Sequence, residues 1–303
     1  MRNTVFNAFL SLLFVLAVWG HNALGRLSGP AAVPADPERI VSLAPSVTET
    51  LYALGMGTKV VGVTQFCVYP PDVVSKPKVA GFSEINFEAI LRVRPDLVVL
   101  PNDKTENKKD LERLGLPVFD LDTRSLPDLM RAVKTLGEKT GHRREAETIL
   151  AQFRTALGDA RKRAEGKNKP RVLFSVMHTY EGFGYITEIN AVGRDGFYNE
   201  LIEAAGGVNV YRGTLPFPRL SREAIIFCNP DVIIDVVPGA ENLEAVRRDW
   251  ESLSSVNAIR DNRLYLLTDE ADTIPGPRSY QTLTRLSQAF FPSEAGNRER
   301  REQ

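Results

Sequence analysis

Residues 88–100 read Glu-Ala-Ile-Leu-Arg-Val-Arg-Pro-Asp-Leu-Val-Val-Leu, and residues 223–235 read Glu-Ala-Ile-Ile-Phe-Cys-Asn-Pro-Asp-Val-Ile-Ile-Asp. Each copy starts on a glutamate, meets a Pro-Asp pair at the same offset and runs into aliphatic residues. The first half reads as a helix that must stop before the proline, because the residue preceding proline avoids the helical region. The second half, Leu97 to Leu100 and Asp231 to Val236, alternates too little for a half-exposed strand and predicts central parallel strands buried on both faces. Two copies are too few for a solenoid, which needs at least about three. Their separation predicts two similar α/β lobes with a cleft between them, where a ligand binds.

Outward from the first copy, Asn86 is placed to cap a helix beginning near Phe87. Upstream, Ile40–Leu43 reads as a buried strand ending at Pro45. Ser46 to Glu49 fits a capping box at the head of a helix that turns Leu51 and Leu54 inward and stops at Gly55. Val60–Val63 is the next strand, so the unit is expected to be parallel and right-handed. Downstream, Lys104–Leu114 reads as a charged surface helix and Val118–Asp120 as a strand. From Ser125 to about Arg163 the apolar residues Leu129, Val133, Leu136, Ala146, Ile149, Leu150 and Phe153 recur at helical spacing, with a kink or break at Gly141. Then come a strand at Arg171–Val176, a helix at Gly193–Ala205 closed by Gly206-Gly207 and the second repeat helix opening at Ser221. A strand at Leu264–Leu267 and a helix at Pro277–Phe291 complete the pattern. The expected fold is therefore α/β: two Rossmann-like lobes joined by a long backbone helix, with the ligand cleft between them. The boundaries are 1–25 signal peptide, 26–37 flexible lead-in, 38–124 N-terminal lobe, 125–165 connecting helix, 166–292 C-terminal lobe and 293–303 disordered tail.

The signal peptide rests on Arg2, an apolar run from Val5 to Trp19 and the small residues around Ala23-Leu24-Gly25; an uncleaved membrane anchor is the alternative. No cysteine stands near the cleavage region to carry a lipid, which leads us to expect a periplasm bounded by an outer membrane. The 38 basic and 38 acidic residues of the 303 balance to zero net charge, which points away from nucleic acid as a partner. Cys67 and Cys228 form no metal or redox motif and each reads as a small semi-buried hydrophobe; whether they pair is open. Two cysteines are too few to ligate a cluster, and no nucleophile elbow, P-loop or dinucleotide fingerprint is present, so no enzyme, resident metal or cofactor is expected. Three histidines, one of them His21 in the signal, do not suit a receptor for bare metal ions.

The layout resembles that of the helical-backbone substrate-binding proteins of ABC importers, which collect cobalamin, iron–siderophore complexes, haem or metal ions. Arg39-Ile-Val-Ser-Leu-Ala-Pro-Ser-Val-Thr-Glu49 is similar to the family's opening strand–loop–helix. Val61-Gly-Val-Thr with Tyr69-Pro70-Pro71 resembles its second strand and cleft loop, and Arg94-Pro95-Asp96-Leu97-Val98 its lobe-one strand. Leu215-Pro-Phe-Pro-Arg-Leu-Ser-Arg-Glu223 resembles the cobalamin-binding members in particular. The resemblance spans residues 38 to 291. It implies a periplasmic, monomeric receptor that hands its ligand to ABC permease subunits driven by a cytoplasmic ATPase. It also implies that Glu88 and Glu223, one per lobe, dock into arginine pockets on the permease. Such carboxylates suit the positive end of a helix and can pair bidentately with a guanidinium. Helix capping alone is the simpler role for both.

Ligand contacts are expected from loops at the strand C-terminal ends: Phe66, Cys67, Tyr69 and Phe82 from lobe one, His178, Tyr180, Phe217 and Arg278 from lobe two. Phe66, Phe82 and Phe217 align with cleft aromatics of the cobalamin binders, although each phenylalanine is equally a candidate for core packing. His178 is a wall residue or, less simply, a ligand to a bound metal centre. Arg278 either meets an anionic group of the ligand or pairs with Asp269 or Asp272. The aromatic content suits a flat, bulky ligand, with cobalamin first and iron–siderophore or haem as the alternatives. A membrane-anchored sensor ectodomain for the same ligand is the remaining alternative. The stiff connecting helix predicts closure by a few degrees only.

Overall fold

A computed structural model describes residues 31–81, 84–102, 105–178 and 184–292. The signal peptide and the tail expected at 293–303 lie outside these residues, as do Phe82 and Tyr180.

Lobe one is built on a parallel sheet of β1 (Ile40–Ser42), β2 (Val60–Thr64), β3 (Lys78–Ala80), β4 (Leu97–Pro101) and β5 (Val118–Leu121), in the order β3-β2-β1-β4-β5. Its helices are α1 (Pro45–Ala53), α2 (Phe87–Arg92) and α3 (Thr105–Arg113). Every residue of β4 is buried, as its unbroken aliphatic run requires of a central parallel strand. Asn86 caps α2 by accepting a hydrogen bond from the Ala89 N–H at 2.9 Å.

The connecting stretch is two helices rather than one: α4 (Leu126–Lys139) and α5 (Arg143–Ala164). Gly141 has φ +77°, a conformation that favours glycine, and the chain reverses there with the His142 N–H donating to the Gly137 carbonyl at 2.7 Å. The backbone proper is α5, whose 22 residues span about 33 Å. Its apolar stripe of Ala146, Ile149, Leu150, Phe153, Ala156 and Ala160 is buried and packs against α1 of lobe one and the last helix of lobe two.

Lobe two holds β6 (Arg171–His178), β7 (Glu188–Ala191), β8 (Val208–Asn209), β9 (Arg219–Ser221), β10 (Val232–Val236) and β11 (Leu264–Leu267). The sheet order is β11-β10-β6-β7-β9, with β8 also paired to β6. Its helices are α6 (Phe197–Ala204), α7 (Arg222–Cys228), α8 (Leu243–Glu251), α9 (Asn257–Arg260) and α10 (Ser279–Phe290). The helix expected from Gly193 begins only at Phe197. Gly193 is held in a tight crossing, where an added Cβ would lie 1.7 Å from the Leu215 carbonyl oxygen, and its N–H donates to the Pro216 carbonyl at 2.8 Å.

The sheet trios β1-β4-β5 and β6-β10-β11 are the duplicated halves, and the repeated phrase closes each with one device. In lobe one the Asp96 carboxylate accepts the N–H groups of Glu38 at 2.7 Å and Arg39 at 2.9 Å, while the Arg39 guanidinium donates to the carbonyls of Val93 at 2.8 Å and Arg94 at 3.1 Å. In lobe two Asp231 accepts the Arg171 N–H at 2.8 Å, and the Arg171 guanidinium donates to Cys228 at 2.6 Å and Asn229 at 3.1 Å. The residue before each proline is left-handed, Arg94 at φ +46° and Asn229 at φ +42°. Helix end, turn and first strand are thus clamped by the same device in both lobes, with one more N–H held in lobe one. One apolar cluster runs through Leu51, Phe153, Phe174 and Leu286, joining both lobes through α5. Separate clusters fill the outer face of each sheet, around Ile90 in lobe one and Trp250 in lobe two.

Candidate functional site

Parallel strands put their C-terminal ends on one side of a sheet, and the loops there are where ligands bind in open α/β folds. In lobe one the loop after β1 enters α1 directly. Pro45 occupies the first helical position with Ala44 as the extended residue before it, and no side chain caps the turn. The expected capping box does not form, because Ser46 is already inside the helix. Its glutamate has a different partner. Glu49 is buried and accepts two hydrogen bonds from Arg278 of lobe two, 2.6 Å from Nη2 and 2.9 Å from Nε. This is the bidentate geometry that makes an arginine–carboxylate pair strong and directional. The Arg278 guanidinium also lies 3.9 Å over the Tyr69 ring centroid and 3.5 Å from Asp269.

Of the two carboxylates considered for Arg278, Asp269 is therefore a secondary contact and Asp272 is none. Asp272 is held instead by Thr282 at 2.6 Å and Arg285 at 2.5 Å. Hydrogen bonding to Glu49 raises the Arg278 pKa further above its ordinary value, so the guanidinium stays protonated in the bridge at the junction of the lobes. A further tie joins the Leu126 N–H, at the head of α4 in the connecting stretch, to Glu200 of α6 in lobe two at 2.6 Å. Beside the bridge lies a hollow of about 410 Å³ whose wall includes Glu49, Tyr52, Tyr69, Gln152 and Arg278. A larger hollow of about 860 Å³, lined by Arg154, Arg161, Lys162 and Lys169, sits between α5 and the end of α6. It lies at the N-terminal ends of the lobe-two strands, where Lys169 leads into β6, and so away from the cleft.

The structure brings Phe66, Tyr69 and Phe217 to the surface rather than into the core; they are 45%, 44% and 54% exposed. Tyr185, half-exposed in the loop before β7, is a further aromatic at this end. Cys67 is corrected. It is only 1% exposed, sits in the apolar cluster that joins the two lobes and is hydrogen-bonded by the hydroxyls of Thr48 at 3.1 Å and Thr64 at 3.2 Å. The turn after β2 points its thiol inward, so it supports the loop and does not line the cleft. Both cysteines are free, Cys228 being in the other lobe. His178 is the last residue of β6, opposite Ile189 of β7, and its side chain lies outside what the structure describes. Among the described residues there is no cluster of three or more histidine, cysteine or carboxylate side chains able to hold a metal ion. No helix among them is long and apolar enough to cross a membrane.

Glu88 and Glu223 are not brought together. Each is exposed in the first turn of its own helix, α2 or α7. The C-terminal end of each helix is clamped to the start of β1 or β6 by the arginine device, so each glutamate sits a helix length away, toward the cleft end of its lobe. Their surroundings differ. Glu88 is paired with Arg92 at 3.1 Å on an open surface. Glu223 accepts a hydrogen bond from the Ser221 hydroxyl at 2.8 Å, which holds its carboxyl below the usual range. The residue that sequence reading missed is Phe227, on the same face as Glu223 and 91% exposed. The signal available was its spacing, four residues beyond the glutamate, which places the two side chains together on a helix.

A profile of the periplasmic binding protein family matches residues 40–271. A cobalamin-binding protein of Halobacterium salinarum is 31% identical over 84% of this chain and 70% of its own length. An uncharacterised ABC transporter substrate-binding lipoprotein of Bacillus subtilis is 29% identical over 85% of this chain and 81% of its own. Among solved structures, a periplasmic heme-binding protein from Roseiflexus superposes with a TM-score of 0.66 at 30% identity, covering 84% of this chain and 98% of the other.

Proposed function

The chain belongs to the periplasmic binding protein family, and from that premise we propose that it captures a corrinoid, most simply cobalamin, and delivers it to the permease of an ABC importer. Proteins of this family bind substrates for transport and are not enzymes. The observation that carries the cargo is the exposure of the rings Phe66, Tyr69 and Phe217 in a chain that has a cobalamin-binding protein among its relatives. Surface phenylalanines and tyrosines give apolar area to stack on a flat macrocycle. Arg278, held bidentately by Glu49, places a charge-paired guanidinium where the lobes meet. Delivery to a permease follows from the relation to an ABC transporter substrate-binding protein, with Glu88 and Glu223 as the docking carboxylates.

Haem is the second reading, favoured by the heme-binding Roseiflexus protein at 30% identity. Calorimetric titration of the purified protein with cyanocobalamin, haemin and a ferric siderophore separates these. We expect saturable one-to-one binding of cyanocobalamin at micromolar protein, weakened about tenfold by Phe66→Ala or Phe217→Ala, the loss typical of an aromatic contact residue. Heat from haemin alone would replace the first reading by the second.

A further inference from the structure

The two docking faces are unequal, and the inequality falls on one aligned position. Position 92 of the first copy and position 227 of the second lie four residues beyond the respective glutamates. Lobe one has Arg92 there, in an exposed ion pair with Glu88 at 3.1 Å. Lobe two has Phe227, the most exposed of the large hydrophobic side chains described, beside Ile226, itself exposed. Glu223 makes no ion pair among the described residues. We propose that α7 carries the dominant docking contact, with Phe227 entering an apolar pocket of the permease next to the basic group that receives Glu223. Lobe one contributes less, because Glu88 must first give up Arg92. The proposal rests on the permease-delivery reading above.

Charge complementarity selects the occupant. An exposed carboxylate without an ion-pair partner among the described residues, next to an exposed ring, calls for a surface that offers a cation beside an apolar hollow. A second copy of this chain, docked by the same face about a two-fold axis, would bring Glu223 toward Glu223. An anionic lipid surface would repel it. A protein surface with an arginine or lysine beside an apolar pocket satisfies both groups at once, and aromatic residues are enriched in such contacts. In lobe one the same surface would meet the Arg92 cation, which repels the group that Glu88 is meant to attract.

The test measures binding of the protein to its permease–ATPase complex in nanodiscs, across a salt series. Phe227→Ser is expected to weaken binding at least tenfold with the salt dependence unchanged and the melting temperature unaltered, since the side chain is 91% exposed. Glu223→Gln is expected to weaken binding and flatten the salt dependence, Glu88→Gln to do so less, and Arg92→Ala to tighten binding several-fold. If Phe227→Ser binds within twofold of the parent while Glu223→Gln is impaired, the anchor is refuted and the docking reading stands. If neither glutamine variant has an effect, the docking reading fails, and the Phe227→Ser result alone then decides the anchor. A dimer in sedimentation that Phe227→Ser dissolves, or binding to permease-free nanodiscs that it abolishes, would assign the ring to a second copy or to lipid and overturn the proposal.

Discussion

Lobe one and lobe two carry the same turn and show different surfaces on it. The turn is a device in which an aspartate after proline ties down N–H groups at the start of the first strand, while an arginine at that strand's start ties down carbonyls at the end of the helix. Both copies keep a left-handed residue before the proline. What differs is outside the clamp. The second half of lobe one's sheet is β2 and β3, parallel throughout, whereas lobe two has the antiparallel pair β7 and β9 there. The exposed helical position 92 is a cation and its counterpart 227 a bare ring. The difference teaches that backbone demands preserve a repeat, and that positions facing partners are free to diverge.

The strongest way to break this two-lobe picture is at the contact that has no counterpart, the Glu49–Arg278 bridge. Removing one partner of a buried pair costs about 3–5 kcal/mol when the other is left uncompensated. Arg278, 18% exposed, keeps Asp269 and the Tyr69 face after Glu49→Ala, so that variant should lose about 2 kcal/mol, below the buried-pair range. Arg278→Met leaves the carboxylate of Glu49, 3% exposed, with no cation among the described residues and should lose about 3 kcal/mol. Urea unfolding measures both. The unequal order, arginine loss above glutamate loss, is the checkable point. Because the core is continuous through α5, each variant should still unfold in a single transition. Two separated transitions would mean that the lobes are independent units joined only by the bridge.

A smaller effect sharpens the comparison inside the clamp itself. Asp96 accepts two backbone N–H groups and Asp231 accepts one. Hydrogen bonds to a charged acceptor are worth about 1.5–3 kcal/mol when buried, and these are partly exposed. Asp96→Ala should therefore cost about 2 kcal/mol and Asp231→Ala about 1 kcal/mol, read from the same unfolding curves. Equal losses would show that the second N–H at Glu38 contributes nothing.

The repeat, the buried β4 and the Asn86 cap were legible in the sequence because each depends on neighbouring residues: a proline offset, an unbroken aliphatic run, an asparagine before an apolar turn. Glu49 was misread for the same reason. Locally it completes a capping box with Ser46, but the helix starts two residues earlier, at Pro45 with Ala44 as its N-cap, and the carboxylate finds a partner 229 positions away. Cys67 stands in a stretch of exposed cleft residues, and only the direction of the turn after β2 sends its thiol into the core. The strands β7 and β9, with four and three residues, are too short to carry a period. The break at Gly141 was visible as a residue, but the sequence could not say that the chain reverses there into a second helix. Of the candidate site, the exposed rings Phe66, Tyr69 and Phe217 were legible as types at loop positions. Phe227 was not, because a phenylalanine on a helix reads as core until its neighbours are known.

The finest distinction between the lobes lies in the left-handed residue before each proline. Such a conformation costs an ordinary L-residue about 1–2 kcal/mol, while asparagine tolerates it through local hydrogen bonding. Replacement by glycine removes that cost but gives the unfolded chain more freedom, worth about 0.4–1 kcal/mol against the folded state. In lobe one, Arg94 makes no side-chain hydrogen bond or ion pair among the described residues, and its carbonyl, which the Arg39 guanidinium holds, survives substitution. Arg94→Gly should therefore stabilise the protein by about 0.5 kcal/mol. In lobe two, the Asn229 side chain accepts the Asn257 N–H at 2.8 Å, at the head of α9. Asn229→Gly loses that cap along with an already tolerant residue and should destabilise by about 0.5–1 kcal/mol. The two substitutions occupy the same place in the same turn, and opposite signs in the shift of the urea midpoint are the expected result. The same sign in both would mean that the backbone angle alone governs the position and that the asparagine of lobe two holds nothing in place.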